Sequence, residues 1–94
     1  MIISWTREAN LDITGIYSYI AKDSLIMAVR VTQSIVTFTT KQLETFPMSG
    51  FVGRVVDTRE LIVPKLPYFI SYRINEDTIE ILRVYHMSRL WSEQ

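Results

Sequence analysis

The chain has 94 residues, 48% of them hydrophobic and 21% charged, and its ten basic and ten acidic side chains cancel to a formal net charge of zero. A chain of this length supports one core and not two, so 1–94 is read as a single domain, and the composition excludes a mainly disordered polymer. Zero net charge excludes bulk attraction to nucleic acid, and the lack of cysteine excludes disulfides and cysteine-held zinc.

No apolar run approaches the roughly 20 residues needed to cross a bilayer, and the N-terminus lacks a basic region followed by a long apolar one. The expectation is a soluble, cytoplasmic protein with no membrane partner. One histidine and scattered carboxylates offer no ligand spacing, so no metal site is expected. No glycine-rich run precedes a helix, so no phosphate-binding loop and no cofactor are expected. Direct sequence-specific nucleic-acid binding is not expected either.

Met1 to Trp5 is a short apolar run that reads as a first strand. Thr6 follows as a helix N-cap, with Glu8 suited to the positive end of the helix dipole. Ala9, Ile13, Ile16, Tyr17 and Ile20 recur at helical spacing and predict a first helix over Thr6–Lys22. Gly15 inside it costs about 1 kcal/mol relative to alanine, which suggests a position where another element approaches closely. The pattern breaks at Lys22 and Asp23, where Asp23 or Ser24 can cap a second helix. Leu25, Ala28, Val29, Thr32, Ile35, Val36, Thr39, Leu43 and Phe46 form its apolar stripe over Ser24–Phe46, and Pro47 stops it.

Pro47 to Gly53, with one proline and two glycines, reads as the loop into the sheet. Arg59–Val63 is a predicted strand, and Pro64 and Pro67 mark an edge or a connection, since neither donates to a ladder. Tyr68 to Trp91 then reads as a β-hairpin around Asn75, Glu76 and Asp77. Tyr68, Ile70, Tyr72 and Ile74 share one face of its first strand, and Phe69, Ser71 and Arg73 the other. The predicted order is β-α-α-β-β-β. The fold class is α+β, a mostly antiparallel sheet of three to four strands with a helical hairpin on one face. Ile13, Ile16, Ile20, Ile35, Ile70, Tyr72, Ile81 and Val84 are the predicted core. Trp5, Tyr17 and Tyr19 are read as core or half-buried packing.

An ordered set of residues carries a resemblance over nearly the whole chain. It comprises Ala9, Asp12, Ile13, Ile16, Tyr19 and Ile20, then Gly53 with Arg54, Thr58 to Leu61, Pro67 with Tyr68, Tyr72 with Arg73, and Ile81 to Val84 with His86, Arg89 and Trp91. Together they resemble the ParE branch of the RelE/ParE toxin superfamily. That resemblance implies the toxin of a bacterial type II toxin–antitoxin module of the plasmid-stabilisation kind, neutralised by a cognate ParD-like antitoxin. ParE-like members are associated with poisoning of DNA gyrase, and RelE-like members with cleavage of mRNA in the ribosome. The fold is common to both activities.

RNA cleavage through the 2′-hydroxyl needs a base, an acid for the leaving oxygen, and cations for the phosphorane charge. If the chain is a ribonuclease, His86, Tyr85 and Arg83 are the catalytic candidates. Ribonuclease relatives resemble one another in a lysine- and arginine-rich sheet face and often in a tyrosine or histidine–tyrosine ending. Here Met87 follows His86, and Lys65 is the only lysine after Lys41. The sequence therefore favours no catalytic residue, with Arg59, Arg73, Arg83, Arg89 and Trp91 as contacts to gyrase or another partner, since arginine and tryptophan dominate interface energies. An inactive remnant that only binds antitoxin is the other alternative. The bland readings are ion pairs of Arg59, Arg73 and Arg83 with Glu60, Glu76, Glu80 or Asp57, and a structural His86.

Overall fold

Two hydroxyls set where the helices begin. In a computed structural model of the chain, which describes residues 1–88, the Ala9 N–H donates to the Thr6 hydroxyl at 3.1 Å and the Met27 N–H donates to the Ser24 hydroxyl at 3.1 Å. Each oxygen takes an amide that has no partner within the helix. The first helix, α1, spans Arg7–Ala21, and the second, α2, spans Leu25–Thr45. Neither is long and apolar enough to cross a membrane. Five strands accompany them: β1 (Ile2–Trp5), β2 (Phe51–Val52), β3 (Arg59–Ile62), β4 (Tyr68–Asn75) and β5 (Thr78–His86).

The strands form one sheet in the order β1-β5-β4-β3-β2. From β2 to β5 every neighbour is antiparallel, whereas β1 runs parallel to β5 with Ile2 opposite Thr78 and Trp5 opposite Ile81. This corrects the sequence expectation of three to four antiparallel strands, although the sheet remains mostly antiparallel. A parallel neighbour requires a long crossover, and everything between Trp5 and Thr78 serves as one. Strand periodicity carries no direction, so the parallel pairing was not legible. Nor was β2, a two-residue strand inside the expected loop, too short to show alternation.

The β4–β5 hairpin closes through a two-residue turn at Glu76 and Asp77, with Asn75 opposite Thr78 and Glu76 in the left-handed region at φ 56°. A bulge interrupts the ladder further on. Ser71 faces Arg83 and Tyr72 faces Ile81, which leaves Leu82 as the extra residue. Pro64 and Pro67 flank Lys65, itself at φ 65°, in the β3–β4 connection and lie in no strand.

The helices cover one face, and the core lies between the layers. Ile35, Ile70, Tyr72, Ile81 and Val84 are buried there as the sequence predicted, with Leu43, Leu61, Val63 and Ile79 beside them. Ile13, Ile16 and Ile20 pack against this core but are only partly buried. Their helix has α2 on one flank and no helix on the other, so a stripe predicted as fully buried keeps one margin exposed. The α2 stripe is narrower than predicted as well. Ala28, Val31, Thr32, Ile35, Thr39 and Leu43 are buried, while Leu25, Val29, Val36 and Phe46 are exposed at its ends and flank. Tyr19 is exposed, with the Lys22 ammonium 5.8 Å from its ring centre. Gly15 is not a close approach. A Cβ there would meet nothing within 4 Å.

Candidate partner-binding face

Residues opposite each other on paired strands share a face. The pairs Glu60 with Ser71, Phe69 with Tyr85, Ser71 with Arg83, and Arg73 with Glu80 therefore assemble the sheet face turned away from the helices. Every ion pair among the described residues involves that face. Arg54 meets Glu60 at 3.2 Å, Arg73 meets Glu80 at 2.8 Å, and Arg83 meets Asp12 at 2.7 Å. The guanidiniums also lie against an aromatic pair, Phe69 and Tyr85, whose ring centres are 5.3 Å apart. Arg54 sits 5.6 Å from the Phe69 ring and Arg83 5.1 Å from the Tyr85 ring.

Asp12 reaches this face from α1 by way of the β5 edge. Its Oδ2 accepts from the Arg83 Nε at 2.7 Å and from the Val84 N–H at 2.9 Å, and its Oδ1 accepts from the Arg83 Nη2 at 3.0 Å. The two-pronged match of guanidinium and carboxylate fixes orientation as well as charge. That hydrogen bonding to Asp12 raises the Arg83 pKa further, against the opposing effect of desolvation. Thr6 closes the same edge one step earlier. Its N–H donates to the Ile81 carbonyl at 3.0 Å and its hydroxyl donates to the Leu82 carbonyl at 3.0 Å. Where β1 ends, the start of α1 takes over the backbone groups of β5.

Arg59 belongs elsewhere. It stands opposite Tyr72, so it faces the helix side, and its Nη1 donates to the Gly50 carbonyl at 2.9 Å and the Met48 carbonyl at 3.2 Å. Tyr72 holds the same loop. Its buried hydroxyl accepts from the Gly50 N–H at 3.0 Å and donates to the Pro47 carbonyl at 2.8 Å. Burial pushes the Tyr72 pKa up, with the Gly50 hydrogen bond and the Arg59 charge opposing. A Cβ at Gly50 would come within 2.7 Å of the Tyr72 ring, so the loop closes here on a residue without a side chain.

The structure does not bring the two proton-transfer candidates together. Tyr85 and His86 are successive strand residues and point to opposite faces. His86 Nδ1 accepts from the Ser88 N–H at 3.1 Å, and its ring stands edge-on to Tyr68 at 5.2 Å. Arg83 and Tyr85 do share a face, and Arg73 lies on it beside Glu80, one of the partners expected for it. For Arg83 the partner is Asp12, which replaces the expected Glu76, Glu80 or Asp57. Arg89 and Trp91 lie outside the described residues. Sequence reasoning placed Phe69 on the face of Arg73 but missed Arg54 as part of it, and it missed Asp12 as its organiser because 71 positions separate Asp12 from Arg83.

A two-helix layer on a mixed five-stranded sheet is an α+β architecture shared with solved toxin–antitoxin proteins. A solved structure described as the chromosomal ParDE TA system from P. aeruginosa superposes with a TM-score of 0.82 at 28% identity, over 92% of this chain and 95% of that one. The toxin–antitoxin complex RelBE2 from Mycobacterium tuberculosis, with a TM-score of 0.66 at 23% identity over 90% and 95% of the two chains, shares the fold.

The chain belongs to the ParE toxin family of the type II toxin–antitoxin system parDE, whose family model matches residues 3–91. Among relatives, a protein named toxin Y4kP from Sinorhizobium fredii is 41% identical over 97% of this chain and 93% of its own length. Toxin RelE2 from Caulobacter vibrioides is 30% identical over 94% of this chain and 97% of its own.

Proposed function

We propose that this toxin works by protein contact, inhibiting DNA gyrase in the cytoplasm without covalent chemistry of its own, and that a ParD-like antitoxin neutralises it. The observation that carries this reading is the pairing of the sheet's outer face. Arg54, Arg73 and Arg83 each meet a carboxylate, and Arg59 is held by loop carbonyls. Stabilising a phosphorane needs cations aimed at developing negative charge, and a guanidinium already neutralised by Asp or Glu is a poor candidate. General acid–base transfer needs both groups within hydrogen-bond reach of one reacting centre. Tyr85 and His86 on opposite faces of one strand do not meet that condition. A paired face rich in arginine and aromatic rings suits recognition of another protein surface.

The P. aeruginosa relative belongs to a ParDE system and the RelBE2 structure is a toxin–antitoxin complex, which supports an antitoxin as the resident partner. Two assays on purified toxin test the target. One is gyrase supercoiling with detection of cleaved DNA, and the other is ribosome-dependent mRNA cleavage. Inhibited supercoiling with intact message is the expected result. Cleaved message with gyrase untouched overturns the reading and makes the chain an mRNA interferase. Silence in both with antitoxin still bound makes it an inactive remnant.

A further inference from the structure

Charge balances over the whole chain but not over its surface. Between Asp23 and Glu44, and again between Glu60 and Glu76, the sequence has neither Asp nor Glu. Where α2 passes the β3–β4 connection the molecule is therefore locally cationic, although its net charge is zero. Two hollows lie there. One, of about 260 Å³, opens between α2 and the connection, and its walls include Met27, Arg30, Val31, Ser34, Lys65 and Leu66. The other, of about 560 Å³, shares Arg30 and Ser34 with it and continues along the helix past Gln33, Thr37 and Phe38. Residues three and four apart share one side of a helix, so Arg30, Gln33, Ser34, Thr37 and Phe38 form a single stripe. No acid lines either hollow, and neither Arg30 nor Lys65 forms an ion pair with a described residue.

The backbone puts Lys65 at this place against its own preference. The Leu66 N–H donates to the Val63 carbonyl at 3.4 Å, which closes a turn with Pro64 second and Lys65 third, at φ 65°. That third position favours glycine, because a side chain is strained there. Lysine occupies it instead, and its side chain lines the cleft together with Arg30.

We propose that the two hollows bind a purine nucleoside diphosphate. The diphosphate lies between Arg30, whose fork of N–H groups suits phosphate oxygens, and the point charge of Lys65, with the Ser34 hydroxyl as a further donor. The base stacks on the half-buried Phe38 ring, where the Gln33 amide and Thr37 hydroxyl meet its edge. A fused purine covers more of that ring than a pyrimidine does. Apart from Phe38, the larger hollow is lined by polar side chains, so a lipid phosphate would have nowhere there to bury its acyl chains. The site lies in the helical layer, on the opposite side of the sheet from Arg83 and Tyr85, so the ligand is an effector and not a substrate. It goes beyond the reading of gyrase contact and needs nothing from it.

The test titrates the full-length toxin with ADP and with GDP by calorimetry and follows the backbone amides by NMR. Saturable binding is expected, with the largest shifts at Arg30, Ser34 and Phe38. The parent nucleoside and inorganic pyrophosphate should each bind about tenfold or more weakly, and Arg30→Gln and Lys65→Gln should each weaken the nucleotide by a similar factor. Both side chains are exposed, so these variants should melt with the parent protein. Lys41→Gln, on the same helix but outside both hollows, should leave binding unchanged. No saturable binding of either nucleotide at millimolar concentration, pyrophosphate bound as tightly as the nucleotide, or indifference to both substitutions each overturns the proposal. So does an equal loss in Lys41→Gln, or sedimentation with phosphatidylglycerol vesicles that nucleotide fails to displace.

Discussion

Asp12 shows how one side chain serves two elements. Its carboxylate binds the Arg83 guanidinium and caps the Val84 amide, so removing it strands an edge N–H as well as breaking an ion pair. An unsatisfied amide costs about 1–3 kcal/mol, whereas a pair with the Arg83 side chain 38% exposed is screened and contributes about 1 kcal/mol or less. Asp12→Ala should therefore destabilise more than Arg83→Ala in urea melts, with a small coupling energy in the double-mutant cycle. Equal losses in the two single variants would show that the ion pair dominates. Thr39 is the opposite case. Its hydroxyl is fully buried and finds no partner among the described residues. Thr39→Val keeps the shape and removes a desolvated oxygen, so the midpoint of unfolding should rise by the equivalent of about 1 kcal/mol. Tyr72 adds a pH dependence. Burial raises its pKa above the ordinary 10.0 in the folded state, so the folded chain holds that proton longer than the unfolded one. The contribution is complete below pH 10.0 and is lost as pH rises through the folded value. Tyr68 shifts in the same direction through burial. Stability measured from pH 9 upwards should fall along an alkaline limb, less steeply in Tyr68→Phe.

The two helices were legible almost to the residue, since Thr6, Ser24 and Pro47 are local signals whose chemistry does not depend on the rest of the fold. Gly15 was misread for a related reason. Glycine in a helix signals either a close contact or nothing, and only the neighbour tells which. With open space around it, Gly15→Ala should stabilise by about 0.5–1 kcal/mol through helix propensity alone, seen as a higher Tm. A lower Tm would mean that an unrecognised element rests on α1. The face assignments within β4 were also legible, because a period of two separates Ile70 and Tyr72 from Phe69 and Arg73. The Leu82 bulge, by contrast, leaves no mark in a β5 sequence apolar on both faces.

Several large apolar side chains of this small molecule stand in solvent. Leu25 and Ile26 are exposed at the helical hairpin, as are Phe51, Val55 and Val56 along the β2–β3 hairpin. Contiguous exposed apolar surface on a soluble chain marks interaction sites. An antitoxin segment that wraps the toxin would cover more than the ~1,600 Å² of a standard interface. Titration with the product of an adjacent antitoxin gene should give a tight complex with a large negative heat-capacity change, and deuterium exchange should slow at the helical hairpin. No complex at micromolar concentration would refute an antitoxin partner of this kind.

The sequence by itself determined the class: two capped helices, a sheet built largely from consecutive antiparallel strands, the central core residues and the likeness to ParE toxins. The helices, the strands and the core residues rest on spacings of a few residues, over which backbone geometry repeats, whereas the likeness rests on an ordered set of residues spread over nearly the whole chain. The tertiary structure alone decided the parallel docking of β1, the pairing of Arg83 with Asp12, the turning of Arg59 towards the helix side, and the point at which β3 stops short of β4. Each depends on residues brought together from opposite ends of the chain, or on where a neighbouring strand stops. A linear pattern records which way a side chain points along its own strand, but not what waits for it on the other side.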